Sequence, residues 1–354
     1  MAPGFRILAP WYSGRDRSGE TPMRVAVLGI GRIVAVYVGL LSLCILLVWI
    51  VTGQNLLRAG PVLIVMFLIG LAITAFMATL RTMTGLVESE RARSRAEVDR
   101  LKFELLEADN ARKTAELGEA RDLQLSMLPS APPARDDVEV AFGMKTATEV
   151  GGDYYDYRTA PDGTLHLVLG DATGHGVRAG LLVVAAKTLF QTAGDSSDLA
   201  ADLTRASDAI RGLKLRRMNM ALALLSVRDG KVRLGVAGMP PALHFKASSS
   251  EVGEIVHDAP PTGQMRSFAY RDTAFELVPG DRLLLLTDGL PECQDPKGQL
   301  FGYERLPALL RRLAPLTASQ IVDGLFAEAE AWAAGRPFDD DVSVLVVAAK
   351  ERTR

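Results

Sequence analysis

The sequence predicts an α+β layered domain tethered to a pair of apolar helices by a long charged helix. Three observations carry this reading. Two uncharged apolar runs stand close together near the N-terminus, and a proline-free stretch rich in both charge signs follows them. From Asp137 onward, short β-rich runs are joined by tight turns and interrupted by helices grouped in pairs. Hairpin-joined strands favour antiparallel sheets, and helices paired between strand blocks argue for layers against a βαβ alternation.

Residues 1–32 come first, and the opening twenty-two, rich in Gly, Pro, Arg and Ser, read as disordered, with Met23 as an alternative start. Residues 33–80 read as a membrane hairpin. Ile33 to Val51 and Val62 to Leu80 hold no charge, and at about 1.5 Å per residue each can cross about 30 Å of hydrocarbon. A buried core helix or a signal peptide is the alternative, but the first run is too long for a signal-peptide core and no small-residue cleavage site precedes the second. Arg6, Arg15, Arg17, Arg24 and Arg32 precede the first span, and Arg81, Arg91, Arg93 and Arg95 follow the second. The connecting loop holds only Arg58. The positive-inside rule then places both termini and the following domain on the cytoplasmic side of the inner (cytoplasmic) membrane. So short an outer loop houses no sensory domain, and a signal would enter through lipid, the spans or a partner. Cys44 and Cys293 predict no disulfide in a reducing compartment. Lys and Arg total 40 against 42 Asp and Glu, so bulk charge gives no case for nucleic acid.

Residues 81–133 form the linker. From Glu88 to about Asp122 charges alternate along a helical pattern, and Val98, Leu101, Leu105 and Ala108 keep a 3-4-3 spacing before Arg112 and Glu119 fall on the same seam. Two readings stay open: a homodimer through the 86–128 helix, or a single solvated helix. Pro129 ends the helix, and Pro132-Pro133 stiffens the link to the next domain. Leu123, Leu125, Met127 and Leu128 are too apolar for a free linker. They are expected to pack on the following domain or on a twin copy, making this the element through which outside movement alters the site.

The domain of residues 137–349 is expected to hold strands at 138–145, 154–158, 165–170, 220–227, 231–237, 242–245, 252–256, 282–287 and 342–347. Pro161-Asp-Gly163 and Arg228-Asp-Gly230 serve as hairpin turns. Helices are expected over 177–193, 199–213, 303–313 and 318–333.

Four aspartates stand at the ends of these runs: Asp153, Asp171, Asp288 and Asp340. Each alone is consistent with ordinary turn chemistry at a strand end. Their joint occurrence points to hard divalent cations, because converging carboxylates repel unless a counter-charge resolves them, and Mg²⁺ and Mn²⁺ prefer oxygen ligands.

The motifs Glu149-Val-Gly-Gly-Asp153-Tyr-Tyr-Asp156, Gly170-Asp171-Ala-Thr-Gly-His-Gly176, Ala237-Gly-Met-Pro-Pro-Ala242, Gly280 through Asp288-Gly-Leu-Pro-Glu292 with Phe301-Gly302, and Asp340-Asp-Val-Ser343 follow one another in order. With Gln124 and Met127-Leu-Pro129 ahead of them, they resemble the metal-dependent protein phosphatases of type 2C in the bacterial SpoIIE/RsbU-like branch, across about residues 120 to 349. The resemblance implies a four-layer α-β-β-α sandwich with two Mn²⁺ or Mg²⁺ ions at one end. It implies Asp171 as the bridging ligand with the Ala172 carbonyl beside it, and Asp153, Asp288 and Asp340 completing the set directly or through water. Asp171 and Asp288 would act through water activated by the metals. Asp341 is ambiguous with Asp340 by one position, and Asp156 and His175 are weaker candidates, His175 either a general acid or a loop residue facing water. Met239 stands where the family often has histidine, and Ala172 where glycine or valine is commoner; a carbonyl ligand is indifferent to the latter. His166, His244 and His257 show no ligand spacing, and Lys145 reads equally as a phosphate contact or a solvated strand end.

The implied activity is hydrolysis of phosphoserine or phosphothreonine on a regulatory protein of the anti-sigma-factor-antagonist type, by a membrane-anchored enzyme in contact with lipid. The alternative is a catalytically silent module of the same fold that sequesters a signalling partner. Gly-Gly-Asp153 followed by aromatics is shared with diguanylate cyclases, but Tyr154 stands where that signature needs an acid. A sensor kinase would need a linker histidine, and none is present.

Overall fold

A computed structural model describes residues 22–52, 56–147, 150–193, 198–215 and 217–351. The disorder expected at the extreme N-terminus and the motif residue Glu149 lie outside the described residues, as does part of the loop between the apolar runs. The chain forms two compact units, Met1–Glu107 and Ala108–Arg354.

The first unit holds α1 (Pro22–Thr52) and the larger part of α2 (Leu56–Ser126). The second apolar run and the charged linker, expected as separate segments, are one continuous helix of 71 residues. No helix-stopping residue separates them, and Pro61 near the helix start is accommodated. The two apolar helices touch: the Tyr37 hydroxyl donates to the Met66 carbonyl at 2.7 Å, and its ring occupies the space where a side chain on Gly70 would stand. By length and composition, one described helix can cross a membrane, the apolar part of α2 opening at Ile64 with mean hydropathy 2.1. The described apolar stretch of α1 runs Val34–Leu47, so among the described residues one of the two expected spans meets the length.

The second unit is a two-sheet sandwich. Its strands are β1 (Val138–Lys145), β2 (Asp153–Thr159), β3 (Leu165–Ala172), β4 (Met220–Arg228), β5 (Lys231–Ala237), β6 (Ala242–Lys246), β7 (Glu251–Ile255), β8 (Asp272–Glu276), β9 (Arg282–Leu286) and β10 (Val342–Ala349). One sheet runs β1-β10-β9-β6-β7 and the other β2-β3-β4-β5-β8, with every pairing antiparallel. Helices α3 (Val177–Thr192) and α4 (Leu199–Gly212) cover the second sheet; α5 (Leu306–Leu313), entered through a 3-10 turn at Tyr303–Arg305, and α6 (Ala318–Ala333) cover the first. The expected α-β-β-α layering is observed. Strand β8 was not anticipated. It is a short edge strand on β5 from which Phe275 packs inward, too brief to show a period.

Burial explains why the central strands are apolar without alternation. Val342, Val344, Val346 and Ala348 of β10 face α5 and α6, whereas Leu345, Val347 and Ala349 face the other sheet. The four leucines of β9 divide likewise, Leu284 and Leu286 outward and Leu283 and Leu285 inward. A strand buried on both faces needs apolar residues at every position. Met239 lies in the core between the sheets at 9% exposure, so the residue standing where the family often has histidine is a packing residue.

Candidate metal centre

Strand parity builds the site. In β3, Leu165, Leu167 and Leu169 point into the space between the sheets, and the same parity carries Asp171 there. In β2, Tyr155 and Tyr157 point inward, which puts Asp153 on the same face. The hairpin turn 160–164 sets the register. Gly163 at φ 86 donates to the Ala160 carbonyl, Asp162 accepts from the Thr164 amide, and seven pairs later Asp153 stands directly opposite Asp171. Directly opposed residues of antiparallel strands have Cβ atoms about 4.5–5.5 Å apart.

From the facing sheet, Thr287 continues the inward face of β9. Its hydroxyl donates to Asp153 Oδ2 at 3.0 Å and accepts from the Ser343 amide at 2.9 Å. Asp288 is the next residue, in a turn closed by the Glu292 amide on its carbonyl. The inter-sheet core, leucine and valine along its length, thus turns polar at one end.

Asp341 is separated from Asp340 by function. It is buried; its Oδ1 accepts from the Ala147 amide and its Oδ2 from the Gly152 amide, both at 2.8 Å. Asp341 therefore ties the Gly151-Gly152 loop to the start of β10. Asp340 is exposed and accepts from the Asp341 amide through Oδ1. Gly152 is required by close approach: a Cβ there would lie 2.6 Å from the Ala172 carbonyl oxygen, 3.0 Å from that of Gly174 and 3.3 Å from Asp171 Oδ1. Three oxygens border this glycine.

Two weaker candidates are corrected or placed. Asp156 lies three residues from Asp153 on a strand, hence on the opposite face, and points toward α3. There it accepts from Lys187 at 2.6 Å, Gln191 at 2.8 Å and the Tyr154 hydroxyl at 3.0 Å. It is a strut between β2 and α3, which the period of two along a strand foretells. His175 is exposed on the loop before α3, close enough to Asp340 to favour that carboxylate's charged form. Lys145 pairs with Glu330 and stacks over the Phe326 ring, as a strand-end residue does. His166 and His244 are buried strand residues, and His257 is a loop residue with Thr273 as partner. Burial pushes the Cys293 thiol up to about 11, which removes it as a nucleophile.

Electrostatics define what the cluster needs. Burial, then Asp288, Asp340, Asp341 and Glu292, push the Asp171 carboxyl up to about 8. Burial and Asp171 raise Asp153 well above the carboxylate range. Burial with Glu292 and Asp340 raises Asp288. The neighbours acting most strongly on Asp171 are all acidic. Tyr303, which sequence reasoning did not single out, borders the cluster, its hydroxyl pushed up to about 12 by burial and then by Asp288 and Glu292. Among the described residues no three carboxylate, imidazole or thiolate side chains form a closed ligand group. Carboxylate and carbonyl oxygens are the donor type that hard divalent ions prefer. Of the expected ligands, Asp171 is brought under the influence of Asp288 and Asp340, and Asp153 under that of Asp171, with the Ala172 carbonyl beside Gly152.

The linker helix reaches this site through a residue whose side-chain role was not anticipated. The Gln124 amide is buried; its Nε2 donates to the Gly151 carbonyl at 2.9 Å and its Oε1 accepts from the Gly151 amide at 3.1 Å. Of the neighbouring apolar residues expected to pack, Leu128 does so against the α3–α4 core, whereas Leu123 is 62% exposed.

A two-sheet sandwich between helix pairs, with polar strand ends at one edge of the inter-sheet core, is the fold of phosphatase 2C-type domains. The chain belongs to the family described as Stage II sporulation protein E (SpoIIE), which matches residues 161–350. Its fold is similar to the SiaA-PP2C domain of Pseudomonas aeruginosa (24% identity, TM-score 0.59, 68% of this chain and 98% of that one). It is similar also to the RsbU and RsbW domains of a Mycobacterium tuberculosis protein (25%, TM-score 0.51, 64% and 63%). A third likeness is to the PP2C phosphatase domain and regulatory fragment of the cell-fate determinant SpoIIE from Bacillus subtilis (20%, TM-score 0.50, 62% and 64%). Protein IcfG of Synechocystis is 21% identical over 263 residues, 66% of this chain and 41% of that protein, so the chain spans less than half the length of this curated relative.

Proposed function

We propose that the chain is a membrane-anchored, metal-dependent phosphatase that hydrolyses phosphoserine or phosphothreonine on a regulatory protein of the anti-sigma-factor-antagonist type. The observation that carries the reading is the uncompensated carboxylate cluster around Asp171, in a domain of a phosphatase family. Asp153, Asp171, Asp288, Asp340 and the Ala172 carbonyl would hold two Mn²⁺ or Mg²⁺ ions. When bound, such ions lower the pKa of water and stabilise charge on phosphoryl oxygens. The chain's own residues orient. Thr287 fixes the Asp153 carboxylate, Asp341 fixes the Gly151-Gly152 loop over the Ala172 carbonyl, and the β2–β3 register opposes Asp153 to Asp171. Exposed His175 beside Asp340 can deliver a proton to a leaving alkoxide.

Two apolar helices in contact through Tyr37 and Gly70 support a two-span hairpin at residues 33–80, with the linker at 81–133 and the catalytic domain at 137–349 on the cytoplasmic side. Exposed Val98, Leu101 and Leu105 on α2 support pairing with a second copy through 86–128. The test is Mn²⁺-dependent phosphate release from a phosphoserine protein pool by the full chain in detergent, beside Asp171→Asn. Turnover that needs both metal and Asp171 is expected. Full turnover by Asp171→Asn would remove the proposal, and Mn²⁺ binding without turnover would favour the sequestering module.

A further inference from the structure

Next to the carboxylate cluster, a groove of about 570 Å³ lies between α6 and the stretch from Phe301 to Arg312 that leads into α5. Phe301, Leu309 and Trp332 supply its apolar surface, and its charged side chains are Arg305, Arg312 and Glu328. Backbone bonds tie the groove to the turn that carries Asp288: the Phe301 amide donates to the Cys293 carbonyl, the Gly302 amide to that of Pro291, and the Glu292 amide to that of Asp288. Tyr303, which borders the cluster, stands two residues before Arg305 in the 3-10 turn, about 4 Å of rise. A polypeptide held at the cluster has this groove within reach of its next few residues.

Arg305 is held in one pose. Its guanidinium carbon lies 4.1 Å from the Trp332 ring centroid and 5.8 Å from that of Phe301, and its Nη1 donates to the Phe301 carbonyl at 3.2 Å. The indole beneath it is fixed in turn, its Nε1 donating to the Gln299 carbonyl at 3.1 Å and its ring meeting Phe301 edge-on. With Nη1 engaged, the edge formed by Nε and Nη2 keeps its N–H groups, and among the described residues no carboxylate lies within ion-pair reach of it. That edge is the one able to take a carboxylate through two parallel bonds. Arg312 pairs with Glu328, and the Glu304 carboxylate lies over Gly302, outside the groove's lining. Two arginines against one glutamate leave the groove one positive charge beyond its own compensation, on a guanidinium already oriented.

We propose that this groove docks an acidic segment of the phosphoprotein, one in which aspartate or glutamate flanks the phosphorylated residue. The substrate half of this inference rests on the phosphatase reading; the charge preference rests on the groove. A carboxylate of the segment would lie on Nε and Nη2 of Arg305, with the apolar part of its side chain against Trp332. Glutamine in its place leaves the extra charge unmatched, and lysine opposes it.

The experiment uses the full chain in uncharged detergent with EDTA present, so that no metal can capture a carboxylate. Fluorescence anisotropy compares short labelled peptides that are alike except that a central serine is flanked by glutamate, by glutamine or by lysine. The glutamate peptide is expected to bind about tenfold more tightly than the glutamine peptide, the size of one charge-assisted contact. Arg305→Gln should erase that preference, and Arg305→Lys should restore only part of it, because an ammonium does not match a carboxylate at two points. Glu328→Gln, which frees Arg312, should widen it. Arg311→Gln removes an equal charge from outside the groove, where Arg311 donates to the Ser250 carbonyl, and should leave it unchanged. No binding, equal binding of glutamate and glutamine peptides, or a preference that survives Arg305→Gln would overturn the proposal. So would an equal loss in Arg311→Gln, which would make bulk charge the cause. Arg305 is exposed, so its variants are expected to keep the fold. Mn²⁺-dependent hydrolysis of para-nitrophenyl phosphate by the parent chain reports separately on the phosphatase reading. Its absence beside an intact glutamate preference would remove that reading and keep the groove as a dock for an acidic partner; hydrolysis without the preference would remove the dock alone.

Discussion

Replacing Gln124 with leucine removes both hydrogen bonds between the end of α2 and the Gly151 backbone while keeping the side chain's approximate volume. Gly151 is buried, so its amide and carbonyl are left without these partners unless the loop opens to water. A buried polar group without a partner costs about 1–3 kcal/mol, which puts the closed loop about 2–6 kcal/mol higher. Opening would relieve that cost but release the Gly152 amide from Asp341 and withdraw the loop from the Ala172 carbonyl. Even the lower figure raises the open population about thirtyfold. Hydrogen exchange read by mass spectrometry on a peptide spanning 150–155 should show lost protection, and calorimetric Mn²⁺ affinity should fall with it. Leu123→Ala, at an exposed position one residue away, should leave both within about 0.5 kcal/mol of the parent. Unchanged exchange and unchanged Mn²⁺ affinity in Gln124→Leu would refute the coupling between helix and site.

Asp156→Asn should lower thermal stability by about 2–4 kcal/mol, because Lys187 loses a partly buried partner, yet leave Mn²⁺ affinity intact because Asp156 faces α3; a matching loss of metal binding would contradict the face assignment. In EDTA, stability should fall as pH rises from about 4 to about 8. Asp171 is raised from 3.8 to about 8 in the fold, so the unfolded chain gives up its proton first and the native state carries the strain of ionisation above that window. Urea midpoints against pH would show the slope, and saturating Mn²⁺ should flatten it; a flat profile without metal would mean that the cluster is not strained. Gly152→Ala places a methyl 2.6 Å from the Ala172 carbonyl oxygen and should weaken Mn²⁺ binding at least about tenfold with the circular dichroism spectrum retained. Unaltered affinity would show that this carbonyl is not a ligand.

Much of the fold was legible because its rules are local. The Pro161-Asp-Gly163 and Arg228-Asp-Gly230 turns mark hairpins, and Asp229 and Gly230, both at positive φ, form the turn that joins β4 to β5. Continuous apolar runs such as Leu283 to Leu286 announce strands covered on both faces. What escaped was short or remote. Strand β8 is five residues on an edge, the helical run 56–126 carries no internal stop, and the buried partners of Gln124 lie 27 residues away.

The order of elements, the α+β layering and the identity of the acidic strand ends are legible in the chain, because hydrophobic period and turn chemistry are written residue by residue. The sequence alone could not separate Asp340 from Asp341 within three consecutive aspartates, nor tell that Gln124 is buried while Leu123 is exposed. Those assignments depend on which backbone amides arrive from elsewhere: those of Ala147 and Gly152 claim Asp341, and that of Gly151 claims Gln124. Only tertiary structure decides this, because a buried polar group is satisfied by the nearest donor in space, and nearness in space is set by the stacking of the two sheets.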